Sequence, residues 1–370
     1  MNSLRSISTF AFVAILAQAA GAAASSTALG ERYREGDVFA LREGLPPASE
    51  AEPPDIRYLR AWSLASFGKP AESAALLPGV IERSHDQGLV IRARELLMLD
   101  RRSLFQYRAA LAAIEPVLRA PSAAGFASLS NRARLLRALA DAPAQTVRIG
   151  DGAPIAVDRG GVLQVAINGR NALMQLDSGA NLSALSESAA RRFGLVVRRA
   201  EYVVGSSVGG TLHANAALAD LSFADGSRVR NAAFLVLPDR ALAQSGRRLS
   251  GLIGLPILIG LGGMDFDRGA VRFGAQGGND RRATAIALSS GDPLVRIRFS
   301  GRQLACRLDT GANRTVFYAS FLREFRDAVA RGRAFHARIE GAAGARSFAA
   351  SRARSLSFEL AGRSITLSNA

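Results

Sequence analysis

Twice in this chain an apolar stretch runs straight into an aspartate, a hydroxyl residue, a glycine and an alanine. The first copy reads Leu176-Asp177-Ser178-Gly179-Ala180-Asn181 and the second Leu308-Asp309-Thr310-Gly311-Ala312-Asn313. The offset of 132 residues also lays Gly169-Arg170 over Gly301-Arg302. One Asp-Ser-Gly at a strand end is ordinary turn chemistry. Two copies mean more, because such loops can face each other across a pseudo-two-fold axis and bring two carboxylates within about 3 Å. Like charges that close cannot both ionise, so Asp177 and Asp309 would hold one proton between them. One carboxylate can then polarise a shared water while its protonated partner donates to a carbonyl oxygen. This chemistry suits hydrolysis of an amide without metal, cofactor or covalent intermediate. In that arrangement Gly179 and Gly311 let the backbone turn and offer N–H groups to the carboxylates. Ser178 and Thr310 supply hydroxyls that bond across the pair and hold the loops in register.

The elements needed to position these loops are strands. After Asp141-Ala142-Pro143 the pattern turns to short alternating segments, Thr146 to Ile149, Val162 to Ile167 and Leu173 to Leu176, punctuated by glycine. Downstream of the loops, Leu221-Ser222-Phe223 recurs as Leu356-Ser357-Phe358 at an offset of 135. Two copies of one β-domain are the economical reading, over 146–275 and 287–370. A linker at 276–286 falls in the Gly-rich stretch Gly274 to Arg282. Asp265 and Asp267 read as residues of a turn before the last strand of the first copy. Cys306, three residues before Asp309, reads as a structural thiol on the strand leading in.

On these motifs the chain resembles the retropepsin-like aspartic proteases, relatives of pepsin. Arg170 to Leu195 is similar to their active-site loop and following helix, with the helix over Leu185 to Phe193. Ser250-Gly251-Leu252-Ile253-Gly254-Leu255-Pro256 resembles the segment that braces the catalytic loop, and Met264 to Phe273 resembles the closing strand pair. The resemblance implies Asp177 and Asp309 as the catalytic pair, with Ser178, Gly179, Thr310 and Gly311 in support. It places a flap hairpin at Tyr202 to Thr211, with Gly205, Gly209 and Gly210, and a second at Gly341 and Gly344. It covers Val157 to Phe273 fully and Leu294 to Ala370 in part, since the second copy carries no counterpart of Gly251 to Pro256. The loop around Asp309 is therefore expected to be supported on one side only.

Ahead of the β-region, Ala28 to Leu139 is helical in pattern and rich in Ala, Leu, Arg and Glu. Pro53-Pro54-Asp55 predicts a stop followed by an N-cap, and Gly68-Lys69-Pro70 a break between two helices. A shift of 35 residues lays Ile56-Arg57 over Ile91-Arg92 and Ala74-Ala75-Leu76 over Ala109-Ala110-Leu111. Pro78 and Pro116 are expected to close the second helix of each copy. The period and the small residues at the crossings resemble tetratricopeptide repeats, which present a concave surface to a protein partner. Arg5, the apolar run Phe10 to Ala20 and the small residues Gly21 to Ser25 describe a secretory signal peptide, with cleavage after Ala24 or Ala19. That predicts a periplasmic or secreted protein without stable membrane insertion.

The chain thus reads as a multidomain α plus β protein. A signal segment (1–24) and an α-helical repeat region (25–145) precede two retropepsin-like all-β barrel lobes, the second C-terminally incomplete. Composition narrows the chemistry. Of 47 basic residues one is lysine, Lys69, and the arginines behind the net charge of +16 are spread along the chain. That dispersion reads as codon bias, and no nucleic-acid partner is expected. One cysteine excludes an intrachain disulfide, and three scattered histidines do not predict a metal site. Three readings follow. The lobes form an intramolecular endopeptidase acting on peptide or protein substrates; the first lobe pairs between two chains and uses Asp177 alone; or degenerate lobes bind peptides on a scaffold without cutting them.

Overall fold

The computed structural model describes residues 26–368 apart from 121–125, 159, 206–209, 245–246, 268, 275–284, 290, 313–314, 330–332 and 342–343. The signal segment, most of the linker and Gly209 lie outside the described residues. The chain divides into two compact units at Leu96/Leu97, inside one helix.

The first unit holds α1 (Ser26–Glu35), α2 (Val38–Gly44), α3 (Pro54–Ser66), α4 (Pro70–Arg83) and the first part of α5 (Gln87–Ser103). Gly68, with φ of +76°, supplies the left-handed turn between α3 and α4, and Pro70 opens α4 where its missing N–H costs nothing. Asp55 is not the N-cap. Pro53 holds that position, and Asp55 sits in the first turn of α3 and accepts a 2.8 Å bond from the Ser26 hydroxyl. Pro78 does not end its helix, and neither does Pro116 in the second unit; both lie inside helices. Each deletes one N–H from the ladder. The buried face continues past each of them, through Leu77 and Val80 in one helix and Ile114 and Val117 in the other, and this burial carries the helix through.

The second unit begins with the end of α5, α6 (Tyr107–Arg119) and α7 (Ala127–Ala138). Ala110, Ala113, Ile114 and Val117 bury one stripe of α6 at helical spacing. Strands follow: β1 (Thr146–Arg148), β2 (Ile155–Ala156), β3 (Val162–Ile167), β4 (Arg170–Leu176) and β5 (Ser183–Ser186). After them come α8 (Glu187–Arg192), β6 (Arg198–Gly205), β7 (Thr211–Ser222), β8 (Arg228–Leu237) and a 3₁₀ turn (Asp239–Leu242). The short pair β9 (Ala243–Gln244) and β10 (Arg247–Arg248) leads to β11 (Gly251–Ile253), α9 (Leu255–Gly260), β12 (Met264–Asp267) and β13 (Ala270–Phe273).

The eight-stranded sheet runs β1-β8-β5-β11-β4-β3-β7-β6, and β7 also pairs with β8. That extra pairing closes β8-β5-β11-β4-β3-β7 into a barrel and removes its free edges. Alternation places Leu163, Val165 and Ile167 of β3 inside with Met174 and Leu176 of β4, against Phe193, Phe223, Phe234 and Phe273. The helix expected over Leu185 to Phe193 starts later. Leu185 belongs to β5, paired with Gly251 and Val236, and the Ser186 hydroxyl caps α8 by accepting from the Ala189 N–H at 3.1 Å. Helix α7 packs on β6, where the Asn131 amide exchanges bonds of 2.8 and 2.7 Å with the Val203 backbone.

The second lobe contains β14 (Ile286–Ser289), β15 (Asp292–Phe299), β16 (Arg302–Arg307), α10 (Ala319–Glu324), α11 (Arg326–Val329), β17 (Arg333–Gly341), β18 (Gly344–Arg352), β19 (Ser355–Leu360) and β20 (Arg363–Ser368). Here β15 is the hub of a five-stranded sheet, bonded to β14, β16 and β19, while β17 and β18 form a separate hairpin. Phe299 is buried with Ala353 and Leu356, and Phe317, Phe321, Phe325 and Phe358 pack around them. Among the described residues no helix is long and apolar enough to cross a membrane.

Candidate active site

Strand β4 lies between β3 and β11, the latter parallel with Ile253 opposite Leu176. Leu176 is fully buried, and the chain emerges from the barrel at Asp177. The bracing is backbone to backbone: Asp177 N–H donates to Ile253 O at 3.0 Å and Leu255 N–H to Ala180 O at 2.9 Å. Glycine is required at 254 because a Cβ there would stand 2.7 Å from Ala180 O. At the matching place in the second lobe, Leu308 N–H donates to Pro293 O at 2.8 Å, and among the described residues β16 pairs with β15 alone.

The two loops interlock by a set of bonds that maps onto itself when the lobes are exchanged. Ser178 N–H donates to the Thr310 hydroxyl and Thr310 N–H to the Ser178 hydroxyl, both at 3.0 Å. Each hydroxyl then donates across to the backbone beneath the other loop, Ser178 to Leu308 O at 2.9 Å and Thr310 to Leu176 O at 3.0 Å. Within each loop the glycine N–H meets its own aspartate, Gly179 to Asp177 Oδ1 at 2.9 Å and Gly311 to Asp309 Oδ1 at 3.0 Å. The glycines also lie beneath the opposite carboxylate. A Cβ on Gly179 would fall 2.5 Å from Asp309 Oδ2, and one on Gly311 2.6 Å from Asp177 Cγ. Only hydrogen fits at either place, so each carboxylate is seated against the glycine of the opposite loop.

This crowding has an electrostatic signature. Burial, and after it the charge of Asp309, pushes the Asp177 carboxyl up from its ordinary 3.8 to about 6, against the opposing pull of the Gly179 and Ala180 N–H groups and Arg307. Arg307 and Gln175 were not singled out from the sequence. They stand two residues before Asp309 and Asp177 at the same offset of 132, so continuing the alignment backwards reaches them. Gln175 donates to Gly160 O at 2.9 Å and Gly311 O at 3.4 Å; Arg307 donates to Gly179 O at 2.9 Å.

Of the remaining candidates, Gly205 pairs with Thr211 where β6 ends and β7 begins, and Gly210 has a φ of +81°. Gly341 and Gly344 face one another across the end of β17–β18. Asp265 and Asp267 do not sit in a turn. Both belong to β12, in register with Arg272 and Ala270, because the reversal falls after them, and they are exposed. Cys306 is half-buried on β16, and burial raises its thiol pKa. Among the described residues no three His, Cys, Asp or Glu side chains come together in a way that could hold a metal ion.

Residues 163–257 match the aspartyl protease family model. The match runs from β3 into α9, includes Asp177 with its bracing strand, and supports a protease function. Solved structures similar to parts of the chain include two proteases. A retropepsin-like aspartic protease from Rickettsia conorii shares 16% identity over 35% of this chain and 92% of its own, with a TM-score of 0.24. The protease of EIAV complexed with the inhibitor HBY-793 shares 20% identity over 29% of this chain and 91% of its own, with a TM-score of 0.22. Comparison with curated proteins returned no match.

Proposed function

We propose that this protein is an exported aspartic-type endopeptidase that hydrolyses peptide bonds with a water activated between Asp177 and Asp309. The observation that carries the reading is the crossed bonding of Ser178 and Thr310, which holds the two aspartates of one chain against each other. With one proton on the pair, the ionised carboxylate takes a proton from water as its oxygen adds to the carbonyl carbon. The protonated carboxyl donates to the carbonyl oxygen, and the tetrahedral adduct collapses as the leaving nitrogen is protonated. Export rests on the Arg5 and Phe10 to Ala20 pattern, and the helical region is assigned to binding a protein partner or the substrate protein.

A pair formed within one chain is favoured over a pair formed between chains, because Asp309 occupies the place that a second chain's aspartate would need. The test is cleavage of a peptide library between pH 3 and 7 by the purified chain. Hydrolysis blocked by a statine-type inhibitor is expected, falling as pH rises through about 6 where Asp177 loses its proton. Asp177→Asn and Asp309→Asn should each lower turnover by about a thousandfold or more. Survival of activity in Asp309→Asn would sink the intramolecular pair, and no cleavage by the wild type would leave a peptide-binding scaffold.

A further inference from the structure

The interlocked loops are symmetric in their glycines and hydroxyls but not in the residue two places before each aspartate. On β4 this is Gln175, a neutral amide that spans from Gly160 O to Gly311 O. On β16 it is Arg307, whose Nη2 donates to Gly179 O at 2.9 Å and stands 3.6 Å from Asp309 Oδ2. Its Nε lies 3.3 Å from Asp292 Oδ1 on β15, a second ion pair that steadies the guanidinium. Among the described residues, the charged groups that act on Asp177 are Asp309 and Arg307, and Arg307 is ion-paired with Asp309.

We infer that Arg307 is a positioning residue that makes the pair unequal, holding Asp309 as the ionised member that takes the proton from water and leaving the shared proton on Asp177. This rests on the reading of the pair as catalytic. An ion-paired guanidinium favours the charged form of the carboxylate it touches. Gln175 has no charge to offer Asp177 in return. Burial and the neighbouring anion both favour the protonated form of Asp177, and they outweigh the weaker opposing pull that Arg307 exerts on it. The guanidinium also bonds the backbone of the opposite loop, so it sets the height of Asp309 against Gly179 as well as its charge.

The test uses the full chain and does not depend on turnover. Carbon-13 titration of the aspartate carboxyls is followed with Asp177→Asn and with Asp309→Asn as backgrounds, each with and without Arg307→Gln. Arg307→Gln puts the first lobe's residue into the second and keeps an amide donor. It should raise the Asp309 midpoint by about one pH unit, the low end for a close ion pair because Arg307 is 41% exposed. The Asp177 midpoint should rise by half of that or less. Arg307→Lys, which keeps the charge, should undo most of that rise. In the active protein, the acid limb of the kcat/KM profile should move up in Arg307→Gln by more than the alkaline limb. Equal shifts at both aspartates, or none, overturn the assignment. Absence of wild-type cleavage would instead defeat the proposed function, and the midpoints would still decide where the proton sits.

Discussion

The two lobes carry the same loop on unlike foundations. In the first, β4 is an interior strand of a closed barrel, flanked by β3 and β11, and Leu176 beneath Asp177 is 0% exposed. In the second, β16 has β15 as its strand partner, and Leu308 beneath Asp309 is 42% exposed. The first loop is held by its own lobe, through Ile253 and Leu255 on the backbone of Asp177 and Ala180. The second takes much of its order from across the interface, through the Ser178 hydroxyl that bonds both Thr310 N–H and Leu308 O. Symmetric chemistry therefore does not require symmetric packing. One well-built lobe can template the other, provided the crossed bonds are made.

That difference is open to attack at matched positions. Leu176→Ala empties a fully buried site in the barrel and should cost about 3 kcal/mol or more in urea unfolding of the second unit. Leu308→Ala, at the equivalent place, should cost under about 1 kcal/mol. Equal costs would mean that the lobes are equally packed and that the contrast is false. A smaller effect, about 1–2 kcal/mol, is expected from Ser178→Ala, since a buried hydroxyl that both donates and accepts is lost. Amide exchange should report it unevenly, with faster exchange at Thr310 while Ile253 and Leu255 keep their protection. Exchange quickening to the same degree in both lobes would show that the second loop does not lean on the first.

The smallest effect concerns pH. Asp177, pushed up to about 6, binds its proton more tightly folded than unfolded, where 3.8 applies. Below about pH 3.8 the residue is protonated in both states and its burial carries no charge penalty. As pH rises through about 6 the folded protein must accommodate an anion beside Asp309, and stability falls. Asp177→Asn removes that cost and should be more stable than the wild type at pH 7 by about 1 kcal/mol, after allowance for the site's partial exposure. At pH 3.5 the gain should vanish. A gain of the same size at both values would assign it to packing and not to charge.

Much of this organisation could be read before any coordinates. The duplication of Asp-[Ser/Thr]-Gly-Ala named the six loop residues that come together, because a repeated turn ahead of a repeated strand pattern implies two copies of one unit. Helices from Ser26 to Ala138 and the strands around 162–176 follow from hydrophobic period alone. Two of the misreadings, at the prolines and at Leu185, share a cause: a local signal was overruled by the packing around it. Pro78 and Pro116 end helices only when nothing beyond them is buried, and here Val80 and Val117 are. The family resemblance starts the helix at Leu185, yet β5 is inserted between β11 and β8, where a strand satisfies more backbone bonds than a first helical turn.

The sequence by itself determined which residues could form a carboxylate pair and that two such loops exist, since identity and repetition are properties of the chain. Tertiary structure alone decided what those residues meet. That Gly179 lies under Asp309, that Ser178 reaches Leu308 O, and that Arg307 bonds Gly179 O depend on how two lobes dock. Such contacts join residues about 130 positions apart and are set by barrel closure and by backbones approaching too closely for a Cβ. The asymmetry of the pair follows from both. Gln175 and Arg307 were written in the sequence, and the two-residue spacing on β16 brings the guanidinium to Asp309, but only packing carried it on to Gly179 O.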